Sequence, residues 1–186
     1  MELIIVVTIT MVLVSITARS MTSAVRSYRM NTASRQLAAM SQLAKIKATS
    51  RNTWYRLATN TGNRTYRLEV YDRNVTPGVW NVDPGNDWVT LPPGIQFLSG
   101  LGIATPPPGH SGTPATEMAF NTRGLLVNWS AGPPPTAAPL NSRCIYLVRM
   151  GVEGAGVRPT AVCASLAGKT SVYRLATGSS GAWEIQ

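Results

Sequence analysis

Hydrophobic and polar positions change rhythm twice along this chain. From Leu3 to Ala18 the sequence is almost uniformly apolar, with one acid, Glu2, at its head. No Gly or Pro occurs before Gly62, so nothing in the composition stops a helix that begins there. The uniform run then becomes periodic. Met30, Ala33, Leu37, Met40, Ala44 and Ala48 recur at spacings of three and four, one apolar stripe of an amphipathic helix, while Arg35, Gln36, Gln42 and Lys45 fall off it. The helix is expected to reach about Ala58 and to end before Thr59-Asn60-Thr61-Gly62-Asn63. Its second half should pack on a sheet, with the stripe supplying half of the core.

From Tyr66 the rhythm shortens to brief apolar runs broken by turn residues, an all-β signal. Strands are predicted at Tyr66–Tyr71, Trp88–Leu91, Ile95–Leu98, Glu117–Asn121, Leu125–Trp129, Arg143–Met150, Val157–Ala164 and Thr170–Ala176. Thr122-Arg123-Gly124 reads as a hairpin turn. Thr105–Thr116 and Ser130–Leu140 are Pro-rich, and their Pro triplets favour extended polyproline over a packed element. The expected architecture is α+β: a long N-terminal helix on an antiparallel β-rich globular domain. Residues 1–18 form a transmembrane or assembly segment, 19–58 its amphipathic continuation, and 59–186 the globular domain.

The two cysteines admit a geometric test. The midpoint of Cys144 and Cys163 falls in the Gly-rich stretch Gly151–Gly156. If that stretch turns a hairpin, the two face each other across antiparallel strands, about 4.5–5.5 Å apart, a separation that disulfides accept. The same register sets Arg149 opposite Arg158, which is mildly unfavourable, and Pro159 argues for an edge or a bulge. A disulfide is the expectation outside the cytoplasm; a pair of unbonded thiols is the alternative.

Composition agrees with export. The 186 residues carry a net charge of +9, mostly arginine, with no acid between Glu2 and Glu69. Enzymatic signals are poor. The only histidine, His110, lies in Pro108-Gly109-His110-Ser111-Gly112, without a neighbouring acid or cysteine in sequence to orient it as a base. Two Cys and one His are few for a structural zinc site. Neither a phosphate-cradling Gly loop nor a nucleotide fingerprint is present. Asp72, Asp83 and Asp87 lack the alternation of a calcium loop. Three glycosylation-sequon matches, at Asn63, Asn74 and Asn128, are of a kind that arises by chance in such a chain. No catalytic residue, metal or cofactor is assigned.

The head Glu2-Leu3-Ile4-Ile5-Val6-Val7 resembles that of type IV pilins and type II secretion pseudopilins. In that superfamily the mature chain begins near Phe-Thr-Leu-x-Glu, and Met1-Glu2 would supply the last two positions. The resemblance implies residues ahead of Met1, so Met1 is expected to be an internal methionine. Span length points the same way: Leu3 to Ala18 covers about 24 Å as helix, whereas a bilayer core needs roughly 20 residues. So does orientation. Arg19, Arg26, Arg29 and Arg35 follow the apolar stretch and alone would place the remainder in the cytoplasm, which a basic leader would reverse. The resemblance also gives Glu2 a role, neutralising the N-terminal amine of an adjacent subunit while Leu3, Ile4, Val6, Val7, Met11 and Val14 pack helix on helix. An unpaired charge in hydrocarbon is costly, about 2.5–3.5 kcal/mol on insertion scales. A cleaved secretory signal fits poorly, because no basic residue precedes the apolar run. A generic anchor for a periplasmic domain, enzymatic or not, is the alternative.

Met118-Ala119-Phe120-Asn121-Thr122-Arg123-Gly124-Leu125 narrows the resemblance to the H-type pseudopilin and FimT-like minor pilins. That group closes with a strand pair ending in Gly-Arg-x-Arg, for which this chain has Gly168-Lys169-Thr170-Ser171. One basic position is kept in type and the other is lost. Some FimT-like members capture DNA, which makes Lys169, Tyr173 and Arg174 candidate DNA contacts, with Tyr173 a stacking ring; solvated strand residues are the plainer alternative. The resemblance implies other pilin or pseudopilin subunits as partners, and the bacterial inner membrane before assembly. It does not separate pilus from secretion pseudopilus.

Overall fold

The computed structural model describes residues 2–74, 78–98, 106–110, 113–128, 140–150, 159–176 and 182–186; within the helix, side chains are described for 4–11 and from 21 onward. One α-helix, α1, occupies Glu2–Ser50, followed by eleven strands: β1 Tyr55–Asn60, β2 Thr65–Asp72, β3 Val79–Val82, β4 Val89–Thr90, β5 Ile95–Phe97, β6 Glu117–Phe120, β7 Leu126–Val127, β8 Ser142–Arg149, β9 Thr160–Ser165, β10 Thr170–Leu175 and β11 Trp183–Ile185. At 1.5 Å per residue the helix is about 74 Å long.

Only its second part is inside the fold. Met30, Ala33, Ser34, Leu37, Ser41, Ala44 and Ala48 are buried, as the periodicity predicts, with Met40 half-buried at the stripe's margin. Most of these side chains are small, which lets the helix lie close over the sheets. The Ser41 hydroxyl lies 3.2 Å from Thr170 Oγ1 on β10.

The helix stops eight residues before the expected Ala58, and Tyr55–Asn60 is a strand instead. Asn52 adopts the left-handed conformation (φ +48°), and the Thr53 amide donates back to the Ala48 carbonyl at 3.2 Å. That six-to-one bond is the Schellman way of closing a helix, with Asn in the glycine's place. The chain then reverses, and Tyr55 and Leu57 alternate into the core while Arg56 points outward.

All strand pairings are antiparallel and form two sheets. The first runs β3-β2-β1-β6-β7, with β4 also pairing to β2; the second runs β11-β10-β9-β8-β5. β1, β3 and β11 have no counterpart among the predicted strands, and the remaining strands fall within two or three residues of expectation. The helix packs across the inner faces of both sheets, where Leu57, Leu68, Met118, Phe120, Leu126, Ile145, Leu147, Val162 and Val172 complete the core. Thr122-Arg123-Gly124 does turn the β6–β7 hairpin, with Gly124 at φ +74°. Its tip meets the β9–β10 turn. The Leu126 amide donates to the Leu166 carbonyl at 3.0 Å, and Lys45 from the helix donates to the Ala167 carbonyl at 2.7 Å.

β8 and β9 are neighbours in the register Cys144↔Cys163, and the two sulfurs are bonded. The Gly151–Gly156 stretch and Arg158 lie outside the described residues, as does the Pro-rich stretch 130–139.

Candidate functional site

Two features stand apart from ordinary packing. The first is the leading half of α1. Before Met30, about 42 Å of helix extends beyond the buried stripe. Ile4, Ile5, Val6, Val7, Ile9 and Met11 are exposed by 46–69%, and Met21, Val25 and Tyr28 are exposed further along. Four consecutive apolar residues at 100° steps wrap the whole circumference, so this is not one stripe but an apolar rod. The two threonines between Ile4 and Met11 do not interrupt it. Thr8 donates to the Ile4 carbonyl and Thr10 to the Val6 carbonyl, satisfying both hydroxyls on the helix's own backbone. The side chains of Glu2, Leu3 and Val14 lie outside the described residues. Over the described residues no helix is long and apolar enough to cross a membrane.

Where the rod enters the globule, the surface turns basic. Arg26 and Arg29 are exposed, and Arg149 at the end of β8 donates to Ser27 Oγ at 3.3 Å.

The second feature is the outer face of the second sheet, which is also buried. Cys144, Tyr146, Ala161, Cys163 and Tyr173 form a cluster there, with Leu98 and Trp183 packed against it. His110 lies over it. Its Nε2 is 3.2 Å from the Tyr173 hydroxyl and the rings meet edge to face at 5.2 Å. Burial favours the neutral imidazole and pulls the His110 pKa below its ordinary value. Burial likewise pushes the Tyr146 phenol up to about 12.

This geometry corrects the reading of Tyr173. Its ring is only 9% exposed, so it is no stacking platform for a base. Lys169 and Arg174 are exposed, but Lys169 just precedes β10 and Arg174 lies near its far end, about 17 Å away along an extended strand. The structure does not bring the three together. Other arginines are committed internally, Arg56 and Arg67 on the first sheet and Arg143 on β8 of the second. Arg56 joins Glu69 (2.6 Å) and Glu117 (2.8 Å), Arg67 joins Glu69 (2.6 Å), and Arg143 lies 3.8 Å from Glu117. Arg56 and Arg67 also stack on Trp80 and Trp88 at 4.5 and 4.2 Å.

Asp83, considered above for a calcium loop, is fully buried and already saturated by protein donors. It accepts from Lys47, from Arg51 at 3.1 Å, from the Tyr55 hydroxyl at 2.9 Å and from Asn86 Nδ2 at 2.5 Å. Burial alone would raise its pKa. The hydrogen bonds from Lys47 and Tyr55, with the charges of Lys47 and Arg51, outweigh that and hold the carboxyl below its usual range. This latch clips the helix's C-terminal end to the segment after β3.

No family model and no curated protein matches the chain. Two solved structures are similar to it, both of the minor pseudopilin EpsH from the type II secretion system of Vibrio cholerae. One is 12% identical with a TM-score of 0.47, covering 85% of this chain and 96% of that one. The other is 14% identical with a TM-score of 0.48, covering 82% and 96%.

Proposed function

We propose that this chain is a structural, non-catalytic subunit of a type IV pilus or type II secretion pseudopilus, and a minor component of it. The observation that carries the reading is the apolar rod. A single helix buries its later part under a β-rich globule and, from Ile4 to Met11, offers a bare apolar surface. The six exposed side chains from Ile4 to Met11, at about 1.5–3 kcal/mol each when buried, represent on the order of 10 kcal/mol of unspent driving force. That surface needs either lipid or other helices around it. Before assembly it anchors the subunit in the inner membrane, with the globule outside the cytoplasm, where a disulfide persists. In the filament, Leu3, Ile4, Val6, Val7, Met11 and Val14 form the helix–helix core, and Glu2 neutralises the terminal amine of a neighbour. The resemblance of the Glu2–Val7 head to the pilin superfamily supports the same assignment.

The test follows the protein in sheared surface or periplasmic filaments and in membranes, with mass spectrometry of its N-terminal peptide. Wild type is expected in both fractions, with a methylated terminus. Ile5→Arg puts a charge on the rod, far from the globule's core, and should leave the protein folded but absent from filaments. Wild type confined to membranes, or Ile5→Arg entering filaments normally, would overturn the assignment.

A further inference from the structure

We propose that reduction of the Cys144–Cys163 disulfide uncovers a site for one thiolate-preferring divalent cation of the zinc class, held by Cys144, Cys163 and His110. The two sulfurs and a ring nitrogen of His110 already lie within 4.8 Å of one another. Tetrahedral coordination, with Zn–S near 2.3 Å and Zn–N near 2.0 Å, asks for donor separations of about 3.5–3.8 Å. Small side-chain rotations therefore suffice, because the two cysteines are directly opposed across β8 and β9 with Cα atoms 4.1 Å apart.

The histidine is set up for the role. Its Nε2 pairs with the Tyr173 hydroxyl, while its Nδ1 is buried and has no hydrogen-bond partner among the described residues. An imidazole that donates one N–H to a neighbouring oxygen and keeps the other lone pair free is the arrangement typical of metal-bound histidines. Tyr146, Ala161 and Trp183 pack around the sulfurs.

The chemistry balances with an external dithiol as reductant. Its two thiols become a disulfide, their protons and electrons pass to Cys144 and Cys163, and the cation then displaces both thiol protons into solvent. Covalent cross-link and metal are thus alternative clasps for the same two strands. With three protein ligands, a fourth position stays open to water. The site is independent of filament assembly, so its failure leaves the assembly reading untouched.

Cobalt(II) titration of the full chain in mild detergent tests it, after anaerobic reduction and removal of the reductant. One cobalt per reduced chain should bind, with a thiolate-to-cobalt charge-transfer band and intense visible bands of tetrahedral geometry. The oxidised protein should show neither. His110→Ala should lose the tight step. Tyr173→Phe removes no ligand and should keep the bands while binding about tenfold more weakly. The proposal is overturned if the reduced wild type takes up no cobalt, or if His110→Ala binds as tightly. It is equally overturned if near-ultraviolet circular dichroism shows that cobalt binds only to unfolded chain.

Discussion

Gly168→Ala probes whether the two hairpin tips are stacked as described. Gly168 sits at φ +69°, and a Cβ there would fall 2.4 Å from the Gly124 carbonyl oxygen and 2.8 Å from Lys45 Cδ. The lysine can swing away, but the carbonyl belongs to the backbone of the β6–β7 turn and cannot. Gly85 supplies the control. It has φ +82°, yet nothing lies within 4 Å of its would-be Cβ. Alanine at Gly85 should cost only the left-handed conformation, about 1 kcal/mol. At Gly168 the same conformational cost applies, and the turn must also move away. The bonds from Lys45 to Ala167 and from Leu126 to Leu166 span that contact. Losing both at about 1 kcal/mol each brings the total to about 3 kcal/mol. The 2 kcal/mol gap between the variants is roughly a 30-fold difference in unfolding equilibrium. Urea unfolding of the full chain in mild detergent, followed by tryptophan fluorescence, resolves it as a midpoint difference of about 1 M. Equal destabilisation of the two variants would refute the stacking of the turns.

Asp83→Asn should destabilise the globule by about 3 kcal/mol in thermal or urea unfolding, the low end for a broken buried ion pair, since Lys47 and Arg51 keep some access to water. Because the folded carboxyl titrates below its ordinary 3.8, its stabilisation is complete above that pH and fades as pH falls through the lower folded value. Asp83→Asn should therefore flatten the acid limb of the stability profile, and an unchanged limb would remove Asp83 from its cause. Replacing both Cys144 and Cys163 by Ser opens a link between residues 19 apart and should cost about 3 kcal/mol in the same urea assay; a loss below about 1 kcal/mol would contradict that loop-closure account.

What could be read from sequence depended on how local its cause was. The stripe from Met30 to Ala48 is a property of consecutive residues, so the helix and its buried face were legible. Its end was harder. Asn52 is the cap, but without Gly or Pro beside it the signal was faint, and the six alternating residues of β1 passed as the helix's last turns. β3 escaped for a similar reason: Val79-Trp80-Asn81-Val82 is short, and its pairing with β2 is what makes it a strand. Tyr173 was misjudged because alternation in β10 implies one exposed face, whereas here His110 and Leu98 cover the second face too. The Asp83 latch was illegible. Its cationic partners lie 36 and 32 residues away, and no local pattern links them.

The continuity of α1 has a mechanical meaning. A pull on the exposed part of the rod runs along its axis and loads the buried stripe in shear. The contacts from Met30 to Ala48 extend over about 27 Å and act side by side, so they share the force instead of yielding one after another. The Asp83 latch stands at the far end of that lap joint, with Lys47 and Arg51 on either side of the last buried alanine, Ala48. The globule should therefore hold to its rod without gradual slippage, and when it does release, it should let go in one brittle step.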